Sequence, residues 1–224
     1  MLHLKGETIL YPLPKEERVQ RYEKFWELRF PEDYRQFLMK YNGVEPVEKS
    51  FEVNGYWHAL LRFFCVLEDY KERDEGWYDL MVMDMQIGEF LTDDPEDRGV
   101  KLAPIGELFA ECFLCLDYRK DPQHPCVCVL DKENSGEFEP DTSYVAASFT
   151  EFLKMLTVAP DEAEDFGESL RRELSDPRVI EVPLSEEDRQ ALAEKAALAA
   201  QVPQEEPAQP ETPKKRGFVW PWKR

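Results

Sequence analysis

The sequence predicts an α+β fold in which helices flank a mostly antiparallel sheet, and three observations carry that prediction. The segment Phe30-Pro31-Glu32-Asp33-Tyr34-Arg35-Gln36-Phe37-Leu38-Met39-Lys40-Tyr41-Asn42-Gly43 holds a helix whose start and stop are both written into it. Pro31 suits the first helical position, and Glu32 and Asp33 put negative charge where the helix dipole favours it. Tyr34, Phe37, Leu38 and Tyr41 form one apolar stripe, and Asn42-Gly43 supplies a left-handed stop. The second observation is a later helix in which Ser148 and Glu151 stand at capping-box spacing ahead of Phe149, Phe152, Leu153 and Leu156. The third is the set of short β-like runs between them. Two of these are joined by the seven residues Arg119–Pro125, too few for a parallel crossover, so those strands pair antiparallel.

In chain order, Lys15 to Leu28 reads as a first helix with Val19, Tyr22, Phe25 and Trp26 on one face. Its short link to the Pro31 helix packs the two against each other, aromatic faces toward a sheet. From Val47 to Val66 the pattern turns β-like around Asn54-Gly55, a hairpin-turn signal, and Trp57, Leu61, Phe63 and Phe64 are large enough to matter to the core. Trp77 to Leu91 reads as a helix on length, with an imperfect stripe of Trp77, Leu80, Met81, Asp84, Met85 and Gly88, although Met81-Val82-Met83 also suits a strand. The acid-rich run after Thr92 reads as an exposed loop. Leu102 to Leu108 then leads into strands Cys112–Tyr118 and Cys126–Leu130.

Taken together, the aromatic Pro-Glu-Asp-Tyr helix closed by Asn-Gly, the middle Pro104-Ile105, the strand ending Cys115-Leu116-Asp117-Tyr118 and the closing Ser-Phe-x-x-Phe-Leu helix resemble the SUKH superfamily of Smi/Knr-like proteins, over roughly residues 15–156. The resemblance implies a function without a catalytic residue set. Bacterial members are mostly immunity proteins that bind and silence a toxin, often a nuclease, and fungal relatives are regulatory interaction proteins. The chain departs from the family pattern at Ala110-Glu111, where Gly-Asp or Gly-Asn is common, and at Lys132, where an acid or His is frequent.

The formal net charge is −19, and residues 1–160 alone carry 32 acidic and 18 basic side chains. A field of that sign repels nucleic-acid phosphate and anionic lipid and speeds encounter with a cationic protein such as a basic toxin domain. No direct nucleic-acid binding and no stable membrane association are expected. Acidity also serves plain solubility. No run of about 18 apolar residues marks a membrane span, and the start of the chain lacks the layout of a secretory signal, so the cytoplasm is the expected location. Predicted partner-facing acids, taken from loop positions, are Glu45, Glu48, Asp93, Asp94, Glu96, Asp97, Glu137, Glu139 and Asp141.

The spacing Cys112-x-x-Cys115, then His124-x-Cys126-x-Cys128, superficially resembles a zinc set. Residues three apart on a strand point to opposite faces, so Cys112 and Cys115 cannot easily share an ion, and neither a metal nor another cofactor is expected. The five cysteines read as reduced thiols rather than a disulfide framework. Asp117, Asp131 and Glu133 supply carboxylates with nothing to place them in a common cleft, and no phosphate loop, metalloprotease motif or nucleophile elbow occurs. No enzyme is expected.

Beyond Val158 the resemblance ends. Asp161 to Leu174 reads as an acidic helix, Val179–Val182 as a short extended piece, and Ser185 to Ala200 as a helix capped by Ser185 with Asp188 at the reciprocal position. The resulting plan is a SUKH-like domain over 1–158, an acidic helical extension over 159–201, a Pro-rich linker over 202–213 that reads as disordered, and a basic aromatic tail over 214–224. In the tail, Lys214, Lys215, Arg216, Phe218, Trp220 and Trp222 make a candidate recognition segment. The leading reading is an immunity protein acting by stoichiometric occlusion. The alternative is a regulatory or scaffolding module whose tail recruits a partner.

Overall fold

The structure, a computed structural model, describes residues 1–96, 101–159 and 167–201. Its centre is a six-stranded antiparallel meander in sequence order: β3 (Ser50–Val53), β4 (Tyr56–Phe63), β5 (Leu102–Leu108), β6 (Cys112–Asp117), β7 (Cys126–Gly136) and β8 (Glu139–Ala146). The sheet curls until its outermost strands, β3 and β8, come into contact. The β3–β4 turn is the one the sequence signals: Asn54 and Gly55 have φ of 52° and 84°, the left-handed pair that a two-residue hairpin requires. The strands over residues 112–130 are antiparallel in continuous register from Cys112↔Asp131 to Asp117↔Cys126.

Helices α1 (Glu16–Phe25), α2 (Glu32–Tyr41) and α4 (Phe149–Met155) cover part of the inner face of the curl. A chain of edge-to-face aromatic contacts links Tyr22, Trp26, Phe30, Tyr34 and Phe149, with Phe37 and Phe63 joining at Phe149. Both helix ends predicted from side chains are met. Ser148 Oγ accepts from the Glu151 N–H at 3.2 Å, and Asp33 of α2 adds a second cap by accepting from the Thr150 N–H and hydroxyl, each at 2.9 Å. Gly43 is left-handed with φ of 71°, and a β-carbon there would lie 2.8 Å from Leu10 Cδ1. Asn42 has a different task from the turn role its sequence position suggests. It is fully buried and bridges two segments, donating to the carbonyls of Leu10 and Val66 and accepting from the Val66 N–H.

A second, smaller sheet has the order β2–β1–β9, with β1 at Leu2–Lys5, β2 at Glu45–Pro46 and β9 at Val179–Val182. Thus the extended piece at 179–182 pairs antiparallel with the first strand of the chain over Leu2↔Val182 to Lys5↔Val179. The segment between is α5 (Gly167–Leu174), and α6 (Glu186–Gln201) follows. Residues 161–166 of the acidic helix expected over 161–174 lie outside the described residues. Ser185 Oγ accepts from the Asp188 N–H, as its spacing predicts, and the reciprocal bond runs from the Leu184 N–H to Asp188.

Three readings of which residues enter the core need correction. Phe25 is exposed, because the buried face of α1 runs through Val19, Tyr22 and Trp26. Trp57 and Leu61 are 45% and 40% exposed, since Leu60 and Phe63 take the core-facing positions of β4. The helix expected over Trp77–Leu91 is shorter, α3 (Leu80–Ile87) between two 3-10 turns, and it buries Leu80, Met83 and Ile87 while Trp77 and Met85 face outward.

The residue that positions α3 is Asp79, which is fully buried. Its carboxylate accepts from the Tyr22 hydroxyl at 2.7 and 2.8 Å, from the Leu67 N–H at 2.7 Å and from the Met81 N–H at 2.9 Å. One buried acid therefore ties α1, the strand exit at Leu67 and the start of α3 together. Burial pushes its carboxyl above the usual range, with these hydrogen bonds opposing the shift.

Candidate binding site

The helices leave one end of the inner face open, and a groove of about 990 Å³ occupies it. Both tight turns of the adjoining hairpins reach its wall, through Asn54 and Ala110. Tyr56 and Trp57, immediately after the first turn, and Phe109, immediately before the second, line it and are 74%, 45% and 70% exposed. Isolated exposed aromatics are ordinary; three around one concavity make it a candidate interaction surface.

The second turn differs from the first in chemistry. Ala110 and Glu111 have φ of 61° and 53°, a conformation in which a β-carbon crowds the backbone. Gly, Asn or Asp adopt the left-handed conformation at low cost, whereas Ala110-Glu111 hold it under strain. The Phe109 N–H donates to the Ala59 carbonyl at 2.9 Å, and Glu111 pairs with Lys132 at 2.9 Å, so the turn is fastened on both sides.

The polar wall comes from β7 and β8. Asp131 and Asp141 are directly opposite each other across the ladder, and both line the groove. Like charges in opposite positions repel. Asp131 accepts from the Asn134 N–H and side-chain amide, at 3.1 and 2.8 Å; among the described residues no cation pairs with either acid. His58 stacks on Phe51 at 5.5 Å, and burial lowers its pKa against the opposing pull of Asp131, so the imidazole is neutral near pH 7 and leaves the acids uncompensated.

Cys112 also lines the groove, but it is not poised as a nucleophile. Burial, with Asp131 and Glu133 adding to it, pushes its thiol upward, and its sulfur donates to the Ala110 carbonyl at 3.5 Å. Cys112 and Cys115 belong to separate apolar clusters on opposite faces of β6, as strand geometry requires. The carboxylates of Asp117 and Asp131 are also on opposite faces. Asp117 is buried in a two-pronged pair with Arg119, at 2.9 and 2.8 Å, which Thr142 extends.

The predicted partner-facing acids fall in three separate places. Glu45 pairs with Arg62, and Glu48 accepts from the His3 N–H and lies 2.5 Å from its ring nitrogen, so both serve the join between the two sheets. Asp93, Asp94 and Glu96 are exposed on the loop after α3, where Asp94 accepts from the Glu96 N–H. Glu137, Glu139 and Asp141 are exposed on the β7–β8 hairpin, and of the nine acids only Asp141 lines the groove among the described residues. Asp97 lies outside the described residues, as do Lys214, Lys215, Arg216, Phe218, Trp220 and Trp222. Tyr56, Trp57, His58 and Phe109 were not predicted as site residues. Their signal is positional: aromatic residues abutting a two-residue turn sit at the end of a sheet, beyond the reach of the helices.

An α+β domain with a curled antiparallel meander, a helix-covered inner face and an open aromatic end is the class these features define. Residues 13–155 match the SMI1 / KNR4 family (SUKH-1), well over half of the chain, and the protein belongs to that family. No curated protein matches the chain.

Proposed function

We propose that the protein is a non-catalytic immunity protein that neutralises a toxin by stoichiometric binding, with the groove and its acidic flank as the surface that engages it. The observation that carries this reading is the Asp131–Asp141 pair facing a concavity rimmed by exposed Tyr56, Trp57 and Phe109. Uncompensated carboxylates beside aromatic faces suit Lys or Arg side chains, through ion pairing and cation–π contact together. A toxin whose own substrate is anionic, such as a nuclease, carries such residues in its active groove, and covering them blocks the substrate. Family membership supports the reading, since bacterial members resemble immunity proteins. A formal charge of −19 supports fast encounter with a basic partner.

The test is co-expression with the product of the neighbouring gene. The expected result is a stoichiometric complex that abolishes that product's toxicity, with association that slows as salt rises. A toxic neighbour that neither binds nor is silenced overturns the proposal. Trp57→Ala is expected to weaken the complex by at least about tenfold, the scale of one aromatic anchor.

A further inference from the structure

We infer that the groove has an occupant within the same chain: the C-terminal segment Lys214–Arg224 docks there and shields the site until a partner displaces it. The inference rests on the reading of the groove as a receptor for cationic and aromatic side chains, and it adds an internal competitor for that receptor.

Charge complementarity comes first. Residues 214–224 carry five basic side chains and no acid, whereas the rest of the chain carries 47 acidic and 23 basic ones. The β7–β8 hairpin, from Asp131 to Asp141, carries Asp131, Glu133, Glu137, Glu139 and Asp141 against the single base Lys132, which is already paired with Glu111. The most basic stretch of the sequence therefore has a natural counterpart in this hairpin, whose Asp131 and Asp141 line the groove.

Aromatic spacing is the next argument. Phe218, Trp220 and Trp222 alternate with Val219 and Pro221. In an extended backbone, alternate residues share one face, so all three rings point the same way. Pro221 is compatible with that extended form and incompatible with a helix interior. An extended strip with three rings on one side and cations at both ends suits a concavity rimmed by Tyr56, Trp57 and Phe109 and walled by carboxylates.

The residues 202–213 separate Gln201, the last of α6, from Lys214. Extended, they span about 40 Å, comparable with the diameter of about 40 Å expected for a domain of this size. The tether therefore serves any surface path from Gln201 to the groove that is shorter than this span. Because docking is intramolecular, even weak contacts act at a high effective concentration. A partner then meets only the fraction of molecules whose groove is open, and its apparent affinity falls by that fraction.

The experiment uses the full chain with a photoreactive side chain at the tail, Trp222→benzoylphenylalanine, and maps adducts by peptide mass spectrometry. Docking gives adducts within one molecule to Tyr56–His58 or Phe109–Cys112, and Lys214→Glu, Lys215→Glu and Arg216→Glu together lower their yield by about tenfold. Adducts elsewhere, adducts only between molecules, or none overturn the inference. The domain is untouched by these substitutions, so misfolding does not confuse the result. Rescue from the toxin is scored on the same variants. Lost groove adducts with intact rescue remove the tail proposal alone, whereas groove adducts without any partner remove the toxin reading alone.

Discussion

The two halves of the inner face of the curled sheet are built from the same kinds of side chain and put them to opposite use. In the covered half, Phe37, Phe63, Phe149 and Tyr34 meet ring to ring under three helices, and the acids Asp33 and Asp79 spend their oxygens on backbone N–H groups and hydroxyls. In the open half, Tyr56 faces solvent, Trp57 and Phe109 stand exposed at the rim, and Asp131 stands opposite Asp141. The difference shows that aromatic content does not mark the core of this protein. What marks it is whether a helix from elsewhere in the chain arrives to finish the contacts.

Substitutions should separate the halves, with the largest effects in the covered one. Phe149→Ala is expected to cost about 3–5 kcal/mol, read from urea unfolding, because it opens a cavity where four aromatic contacts converge. A loss below about 1 kcal/mol would mean that the covered half is not closely packed. Asp79→Ala comes next at about 3 kcal/mol, since it strands the Tyr22 hydroxyl, the buried Leu67 N–H and the half-buried Met81 N–H at once. The groove reverses the sign. Exchanging the strained turn for one that accepts left-handed backbone, Ala110→Asn with Glu111→Gly, should stabilise by about 1–2 kcal/mol despite losing the exposed Lys132 pair. Asp141→Asn should stabilise by about 0.5 kcal/mol by removing the like-charge opposition, while weakening any cationic ligand.

The smallest expected effect is a pH dependence that distinguishes the buried acid of the covered half. The folded-state pKa of Asp79 lies above its unfolded value of 3.8, so the native state holds the extra proton between the two. Its contribution is then greatest below the unfolded value and is lost as pH rises through the folded one. Asp79→Asn should flatten that part of the stability profile, measured by denaturant midpoints at successive pH values; an unchanged slope would mean that Asp79 is ordinary in its titration.

The elements legible in the sequence were those with local chemistry. Gly43, Ser148 and Asn54-Gly55 each declare an end or a turn within a few residues and the structure honours them, while Pro31 stands one place earlier than expected, as the N-cap of α2 rather than its first helical residue. Pairings between distant segments were not legible. The extended piece at Val179–Val182 was legible, but its partner, the four-residue strand at Leu2–Lys5, lies at the other end of the chain, and nothing local announces that pairing. Glu45 and Glu48 look like any loop acids until Arg62 and His3 are brought to them by the fold. The groove was hidden for a related reason. Tyr56 to Phe63 carries large side chains on both faces, so alternation alone does not say that Trp57 and Leu61 point away from the core.

The short run after α4 has a consequence for solubility. Ser50 and Thr157 exchange two backbone hydrogen bonds, at 2.9 and 2.8 Å, so the chain lays its own backbone against the outer side of β3. Open strand borders template the addition of foreign strands, and proteins blunt them with cover or with charge. Here β3 receives cover, while β8, at the other border, presents Glu139 and Asp141. A six-stranded curl that does not close into a barrel is thereby protected from growing sideways into polymers of itself.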